Sequence, residues 1–257
     1  MKEEQLEQRV NKIIGVLPMA GYGKRIQPIG FSKELYPIPY KGKHKAIADF
    51  SIESMLSAGA EEIKIVANTD KYDLMKYLSQ KKFFFSIYPY NSRSLPESCL
   101  YPLPSIDDMD IVLFGLPDTM FLPLNAYSLI LETLKENSFD IVLGLFRVDE
   151  PYKFDSVKFD DSTSIVTNVL VKQKPALSEY IWGLWAANRN GLVALKNEID
   201  SQSVKNQSEK LLGQGFDSIA QKGHVKIGAR ILSDSYYDIG NMTAISGIAD
   251  IVNQFYK

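Results

Sequence analysis

Apolar and polar positions alternate along the chain in blocks. Ile13 to Met19 is a short, nearly continuous apolar run, the pattern of a parallel strand buried on both faces. Lys45 to Ser57 sets Ile47, Phe50 and Met55 at helical spacing and stops before Gly59, which predicts a helix with a glycine C-cap. Glu62 to Asn68 predicts the next strand, Thr69-Asp70 the cap of a helix through Leu78, and Phe83 to Tyr88 a third strand. Leu95 to Pro104 is at best a proline-interrupted helix. Asp110 to Leu116 reads as strand, Asn125 to Asn137 as helix and Asp140 to Val148 as strand. This βαβα order predicts an α/β fold with a doubly wound, mostly parallel sheet.

Past residue 150 the pattern changes. Lys153 to Phe159 and Ser164 to Lys172 read as neighbouring strands around a polar turn at Asp160-Asp161-Ser162, and Trp182 to Asn188 as another strand. Trp182 and Trp185 stand at odd offset, which predicts opposite faces. Helices are expected over about 190–200 and 206–222, a strand at Val225 to Leu232, and a closing helix from Thr243. The charged N-terminal segment reads as a tail or a short helix. No internal repeat or low-complexity linker interrupts the chain, so 1–257 reads as a single domain whose halves, 1–150 and 151–257, differ in role.

Composition narrows the partners. With 257 residues, 45% of them hydrophobic, the chain can bury a substantial core. A net charge of −2 supplies no global basic field, so nucleic acid is not an expected partner and anion recognition should be local. One cysteine, Cys99, excludes an internal disulfide and fits a reducing compartment. The first ten residues, MKEEQLEQRV, do not read as a signal peptide, and no apolar run approaches the ~20 residues that span a bilayer. A cytoplasmic protein is expected. His44 lies in the basic run Lys41, Lys43, Lys45, which reads as a solvated turn, and His224 has no suggested partner.

Candidate chemistry begins where the first strand ends. LPMAGYGKRIQPIGFSKELYPI, residues 17–38, is neither a Walker loop, whose first glycine would fall on Pro18, nor a dinucleotide fingerprint, which fails at Ile26. Its physics still suits a polyanion. Glycines let backbone amides approach a phosphate, Arg25 offers a planar bidentate fork, and Lys33 offers a mobile point charge.

Read whole, A-G-x-G-K-R-x-x-P followed by S-K-x-L-x-P-I resembles the signature of the sugar-1-phosphate nucleotidyltransferases, most closely the thymidylyl- and uridylyl-transferring branch. Further stretches are similar to that family in the same order: IESMLSAGAEEIKIV (52–66), GLPDTMF (115–121), FDSVKFD (154–160), VKQKP (171–175), SEYIWGLW (178–185) and YDIG (237–240). The resemblance implies a Rossmann-like, doubly wound fold of the nucleotide-diphospho-sugar transferase (GT-A-like) type. It also implies transfer of a nucleotidyl group from a nucleoside triphosphate to a sugar 1-phosphate with Mg²⁺ as cofactor.

Residue by residue, the resemblance implies nucleotide contacts at Pro18, Met19, Ala20, Gly21, Tyr22, Gly23, Lys24, Arg25, Leu95, Pro117 and Asp118. It implies catalytic roles for Arg25, Lys33 and Asp118, and acceptor contacts at Asp155, Gln173, Lys174, Trp182 and Gly183, with Lys174 on the acceptor phosphate. Asp118 and Asp238 are the implied metal pair, and two carboxylates suit a hard cation whose remaining ligands are phosphate oxygens. An aspartate at a strand end also caps turns, and Asp-Ile-Gly is a turn in its own right. The chain departs from the pattern at Lys24 for threonine, Ser94 for glycine, Asp155 for glycine and Gln173 for glutamate, and the base-reading glutamine has no clear counterpart. Two of these changes, Asp155 and Gln173, fall in the acceptor half, and the missing glutamine bears on the base. They leave open a cytidylyltransferase for another phosphorylated alcohol such as phosphocholine, or a non-catalytic nucleotide-binding subunit.

Overall fold

A computed structural model describes residues 11–26, 28–202 and 209–240. The expected closing helix from Thr243 and the N-terminal segment through residue 10 lie outside the described residues. The elements run β1 (Ile13–Met19), β2 (Pro37–Tyr40), β3 (Lys43–Ala46), α1 (Ala48–Ser57), β4 (Glu62–Ala67), α2 (Tyr72–Leu78), β5 (Phe85–Pro89), α3 (Leu95–Leu100), β6 (Ile111–Gly115) and β7 (Thr119–Phe121). They continue as α4 (Ala126–Glu136), β8 (Ile141–Arg147), β9 (Asp155–Phe159), β10 (Val166–Val171), β11 (Tyr180–Ala187), α5 (Arg189–Ser201), α6 (Leu212–Lys222), β12 (Ile227–Ser233) and β13 (Tyr236–Asp238).

One nine-stranded sheet carries the molecule. β6, β1, β4 and β5 are parallel neighbours, as the βαβ alternation predicts. β11 runs antiparallel to them and is the branching strand. Its second half pairs with β6, its first half meets β9 at Ile181, and its far side pairs with β8 along its length. β12 then adds parallel to β8, and the β9–β10 hairpin closes the other flank.

Both faces of the sheet are covered. On one face Val16, Phe114 and Trp185 pack with Leu192, Leu195 and Phe216 of α5 and α6; on the other Leu17, Leu113 and Phe146 pack with Met55, Leu74, Tyr127 and Ile130 of α1, α2 and α4. The two tryptophans correct the parity expected for β11. Trp182 and Trp185 both lie on the first face and both meet Phe216 edge-on, at 5.7 and 5.4 Å. A register shift between Trp182 and Leu184 inserts an extra residue at Gly183, and such a bulge resets the alternation that follows it.

Local differences have local causes. The helix expected from Lys45 starts at Ala48, because Lys43–Ala46 pairs with Pro37–Tyr40 as a small hairpin. Thr69-Asp70 does not cap α2; Asn68 Oδ1 instead accepts from the Asp70 amide at 3.0 Å, an Asx turn ahead of the helix. α6 begins at Leu212, later than the spacing suggested. A third, small core of Ile38, Ile47, Phe50, Met120 and Ile239 lies where the β2–β3 hairpin meets β7 and the end of β13. It fixes the two segments from which the acidic pair projects.

Candidate active site

Four segments converge beyond the carboxyl ends of β1 and β6, the rim where open α/β sheets take ligands. They enclose a cleft of about 390 Å³ lined by residues that include Pro18, Gly21, Arg25, Lys33, Ser94, Asp118, Lys172 and Asp238.

The acidic pair is assembled by three-residue strands. β6 ends at Gly115, the chain turns through Leu116-Pro117-Asp118, and β7 pairs antiparallel with β13 so that Asp238 faces Thr119 across the ladder. The Ile239 amide closes the ribbon on the Asp118 carbonyl at 3.1 Å. Convergence is visible at Gly240. A Cβ there would lie 2.8 Å from Asp238 Oδ1, 3.3 Å from Arg25 Nη2 and 3.4 Å from Asp118 Oδ2. A side chain there would push the Asp238 carboxylate aside, which favours the glycine of Asp-Ile-Gly, and the Gly240 amide donates to Asp238 Oδ1 at 2.7 Å.

Charge is arranged unevenly over the two acids. Burial pushes the Asp118 carboxyl up, but the Lys33 ammonium, 2.5 Å from Oδ2, and then Arg25 outweigh it and hold the acid below its ordinary range. Burial also raises Asp238, and here the nearby Asp118 charge adds to the rise against weaker help from the Gly240 amide, Arg25 and Lys33. Two carboxylates sharing one site behave in this way. Burial opposes the charge on Lys33, yet Asp118, Glu34 and Asp238 together raise its pKa, so it stays an ammonium.

The glycine loop is tied down from beneath. Gly23 has φ +62, and a Cβ there would press on the Lys33 stem at 3.2 Å, so the loop and the lysine approach because the residue is glycine. Tyr22 is half exposed, and its hydroxyl is held by Asn68 and, at 3.2 Å, by Asp70. Ser32 is fixed through its amide and hydroxyl to the Asp73 carboxylate at 2.6 and 2.7 Å. Beneath them lies an ion pair that the sequence does not advertise. Lys71 Nζ donates to the Met19 carbonyl at 2.7 Å and to both Glu34 oxygens at 2.8 and 2.9 Å, with both residues buried. This strut joins the last residue of β1 to the turn that carries Lys33.

The sequence-derived nucleotide residues separate into lining and supporting groups. Pro18, Gly21, Arg25, Leu95 and Asp118 line the cleft with Lys33, whereas Met19, Ala20 and Pro117 are buried behind it and Lys24 is exposed. The acceptor residues do not gather there. Gln173 lines a separate cavity against β10 and α6, and the Lys174 ammonium sits 3.7 Å from the centre of the Tyr152 ring. Trp182 is in the core with its indole N–H donating to Asp155 Oδ2 at 3.3 Å. A Cβ on Gly183 would collide with Tyr236 at 2.4 Å, so that glycine serves packing. Asp155 lies against Gly213 at the start of α6, outside the cleft lining.

Other residues line the cleft without having been expected there: Ser92, Arg93, Ser98, Lys172 and Glu209. Ser94, read only as a replaced glycine, has a buried hydroxyl with no hydrogen-bond partner among the described residues. Among those residues no cluster of three or more His, Cys, Asp or Glu side chains could hold a metal by itself. A cation here would have two protein carboxylates and would take further oxygens from a ligand. The all-oxygen donor pair fits a hard divalent ion, which would share Asp118 with the Lys33 ammonium now held against it.

No protein-family model matches the chain, and no curated protein matches it. Solved structures do. The chain is similar to an apo UDP-glucose pyrophosphorylase at 16% identity and TM-score 0.79, covering 96% of this chain and 98% of that one. It is similar to a UDP-glucose pyrophosphorylase complexed with UDP-glucose at 17% identity and TM-score 0.79, covering 96% and 99%. A Bacillus anthracis protein assigned as a glucose-1-phosphate thymidylyltransferase, in complex with a sucrose, aligns at 15% identity and TM-score 0.76 over 93% and 95%. At these identities the likeness establishes a shared fold over nearly the whole chain. No helix among the described residues is long and apolar enough to cross a membrane.

Two outcomes test this reading of the site. Lys71→Met strands the buried Glu34 charge and should cost about 3–5 kcal/mol in urea unfolding, whereas Glu34→Met with Lys71→Met should cost much less. A double variant as unstable as the single one would mean that the pair contributes no more than local packing. Asp155 supplies a pH test. Burial raises its carboxyl against the opposing pull of Lys172 and the Trp182 N–H. Its folded pKa therefore exceeds the unfolded one, so its stabilising contribution is present in acid and is lost as pH rises through the folded value. Relative to wild type, Asp155→Asn should gain melting temperature as pH rises from the ordinary carboxylate range through the folded value. A difference that stays flat with pH would contradict the burial.

Proposed function

We propose that this chain is a nucleotidyltransferase that joins a nucleoside triphosphate to a sugar 1-phosphate and releases pyrophosphate. One observation carries the reading: two convergent carboxylates share a cleft with Arg25, Arg93 and Lys172, none of which has an ion pair among the described residues. Unpaired cations beside paired acids suit a polyphosphate accompanied by a divalent ion. The fold shared with two UDP-glucose pyrophosphorylase structures supports the same class of substrate.

The chemistry asks for alignment and charge neutralisation more than for covalent work by the protein. An acceptor phosphate oxygen attacks the α-phosphorus in line, a new P–O bond forms, and the bond to the β-phosphate oxygen breaks with pyrophosphate as leaving group. The backbone of Ala20 to Gly23 holds the triphosphate, with Gly21 at the cleft wall. Arg25 and Lys33 take up charge as it moves onto the pyrophosphate. The Ser94 hydroxyl, buried at the cleft wall and without a hydrogen-bond partner among the described residues, would become available to the nucleotide through a small side-chain rotation. Asp118 and Asp238 would hold a Mg²⁺ ion, which when bound neutralises charge on the phosphates that meet there.

Incubation with Mg²⁺, each common nucleoside triphosphate and a panel of phosphorylated sugars should release pyrophosphate with one pairing. Arg25→Ala should lower that turnover on the order of 10³-fold, as loss of a cation at transferring phosphoryl charge does. Nucleotide binding without pyrophosphate across the panel would favour a non-catalytic subunit, and a loss below about tenfold would take Arg25 away from the reacting centre.

A further inference from the structure

We propose that Lys172, and not Lys174, is the cation that takes the acceptor's phosphate. This rests on the transfer reading above, which supplies the acceptor, and it reassigns a role that the sequence pattern gave to a residue two positions later. β10 ends at Val171 and the chain turns sharply at Lys172, whose φ of +38 lies in the left-handed region that lysine seldom enters. Its amide donates to the Phe154 carbonyl at 3.0 Å, which fixes the turn against the entry to β9. The turn breaks the strand alternation that would otherwise put Lys172 and Lys174 on one face.

Their surroundings then differ in kind. Lys172 lines the cleft together with Arg25, Lys33, Asp118 and Asp238, and it has no ion pair among the described residues. It enters from the second half of the chain, while Arg25 and Lys33 come from the glycine loop and its sequel. The Lys174 ammonium is engaged elsewhere, over the Tyr152 ring at 3.7 Å and near the exposed Glu150 carboxyl, which Lys153 and Tyr152 chiefly draw down and Lys174 least. Gln173 points into the cavity beside Val169, Leu170 and Asp217. Of the two lysines flanking Gln173, only Lys172 borders the acidic pair. An ammonium on a flexible stem is a mobile point charge suited to a phosphomonoester dianion. Lys172 also acts on the half-buried Asp155 at the start of β9, which connects this charge to the position where the chain replaces the family's glycine.

The test is a steady-state comparison with the acceptor titrated at saturating nucleoside triphosphate and Mg²⁺. Lys172→Ala should raise the acceptor KM by about tenfold or more and leave the triphosphate KM within about twofold, and Lys172→Arg should recover most of the loss, since an ion pair to phosphate is at stake. Lys174→Ala should leave both constants within about twofold. An acceptor KM that rises in Lys174→Ala and stays unchanged in Lys172→Ala overturns the assignment. If the wild-type protein transfers nothing, the transfer reading has failed separately, and calorimetric titration with inorganic phosphate decides about Lys172. Binding weakened about tenfold by Lys172→Ala alone supports a phosphate site there, and equal binding in wild type and variant overturns it.

Discussion

Two carboxylates that repel one another are held in one cleft, and most of the site's construction answers to that constraint. Asp118 and Asp238 come from distant parts of the chain and meet because β7 and β13, three residues each, form an antiparallel ladder. The ladder is short, so its stability comes from beneath: Met120 and Ile239 are locked into a small core with Ile38, Ile47 and Phe50. Apolar burial there offsets an electrostatic cost at the surface of the same segments. Lys33 compensates one acid directly, and the other remains the less easily ionised of the two. Conflicts of this kind between local electrostatics and fold are expected where a site is kept ready for a charged ligand.

The same economy explains the glycine loop. Its residues reach the cleft because Gly23 lets the Lys33 stem pass closely, and Lys71 binds the root of the loop to the turn that carries Lys33. A buried lysine satisfied by a carbonyl and two carboxylate oxygens fixes direction as well as distance. Rigid placement of donors before the ligand arrives is what transfer at phosphorus requires from a protein. The acceptor side is built on different terms. There a left-handed turn at Lys172 substitutes for continued strand, and a half-buried acid at Asp155 stands where the resembled pattern has a glycine.

Long apolar runs were legible in the chain, because a strand covered on both faces has nothing polar to hide. β1, β6 and β8 are of this kind, and the order of elements that made the sheet doubly wound was equally plain. The loop and the two acids were legible through the order of their residues. What escaped was short or tertiary. Three residues are too few to show a period, so β7 and β13 were invisible, and with them the means by which the acids meet. A bulge at Gly183 shifted Trp182 relative to Trp185, which no count of offsets could foresee. Lys71 stood unremarked at the start of the helix expected after Thr69-Asp70, since only the fold brings Glu34 to it. Lys172 was passed over because the resemblance pointed to Lys174, and only the turn that follows β10 separates the two lysines.

The convergence of Asp118 and Asp238 on one divalent ion can be observed directly. Crystals grown with Mn²⁺ in place of Mg²⁺ and a non-hydrolysable nucleoside triphosphate analogue would be measured at the manganese absorption edge. A single anomalous peak within about 2.5 Å of a carboxylate oxygen of each aspartate and of a phosphate oxygen is the expected result. A peak coordinated by the phosphates alone, with both carboxylates turned away and still held by Lys33 and Gly240, would contradict it.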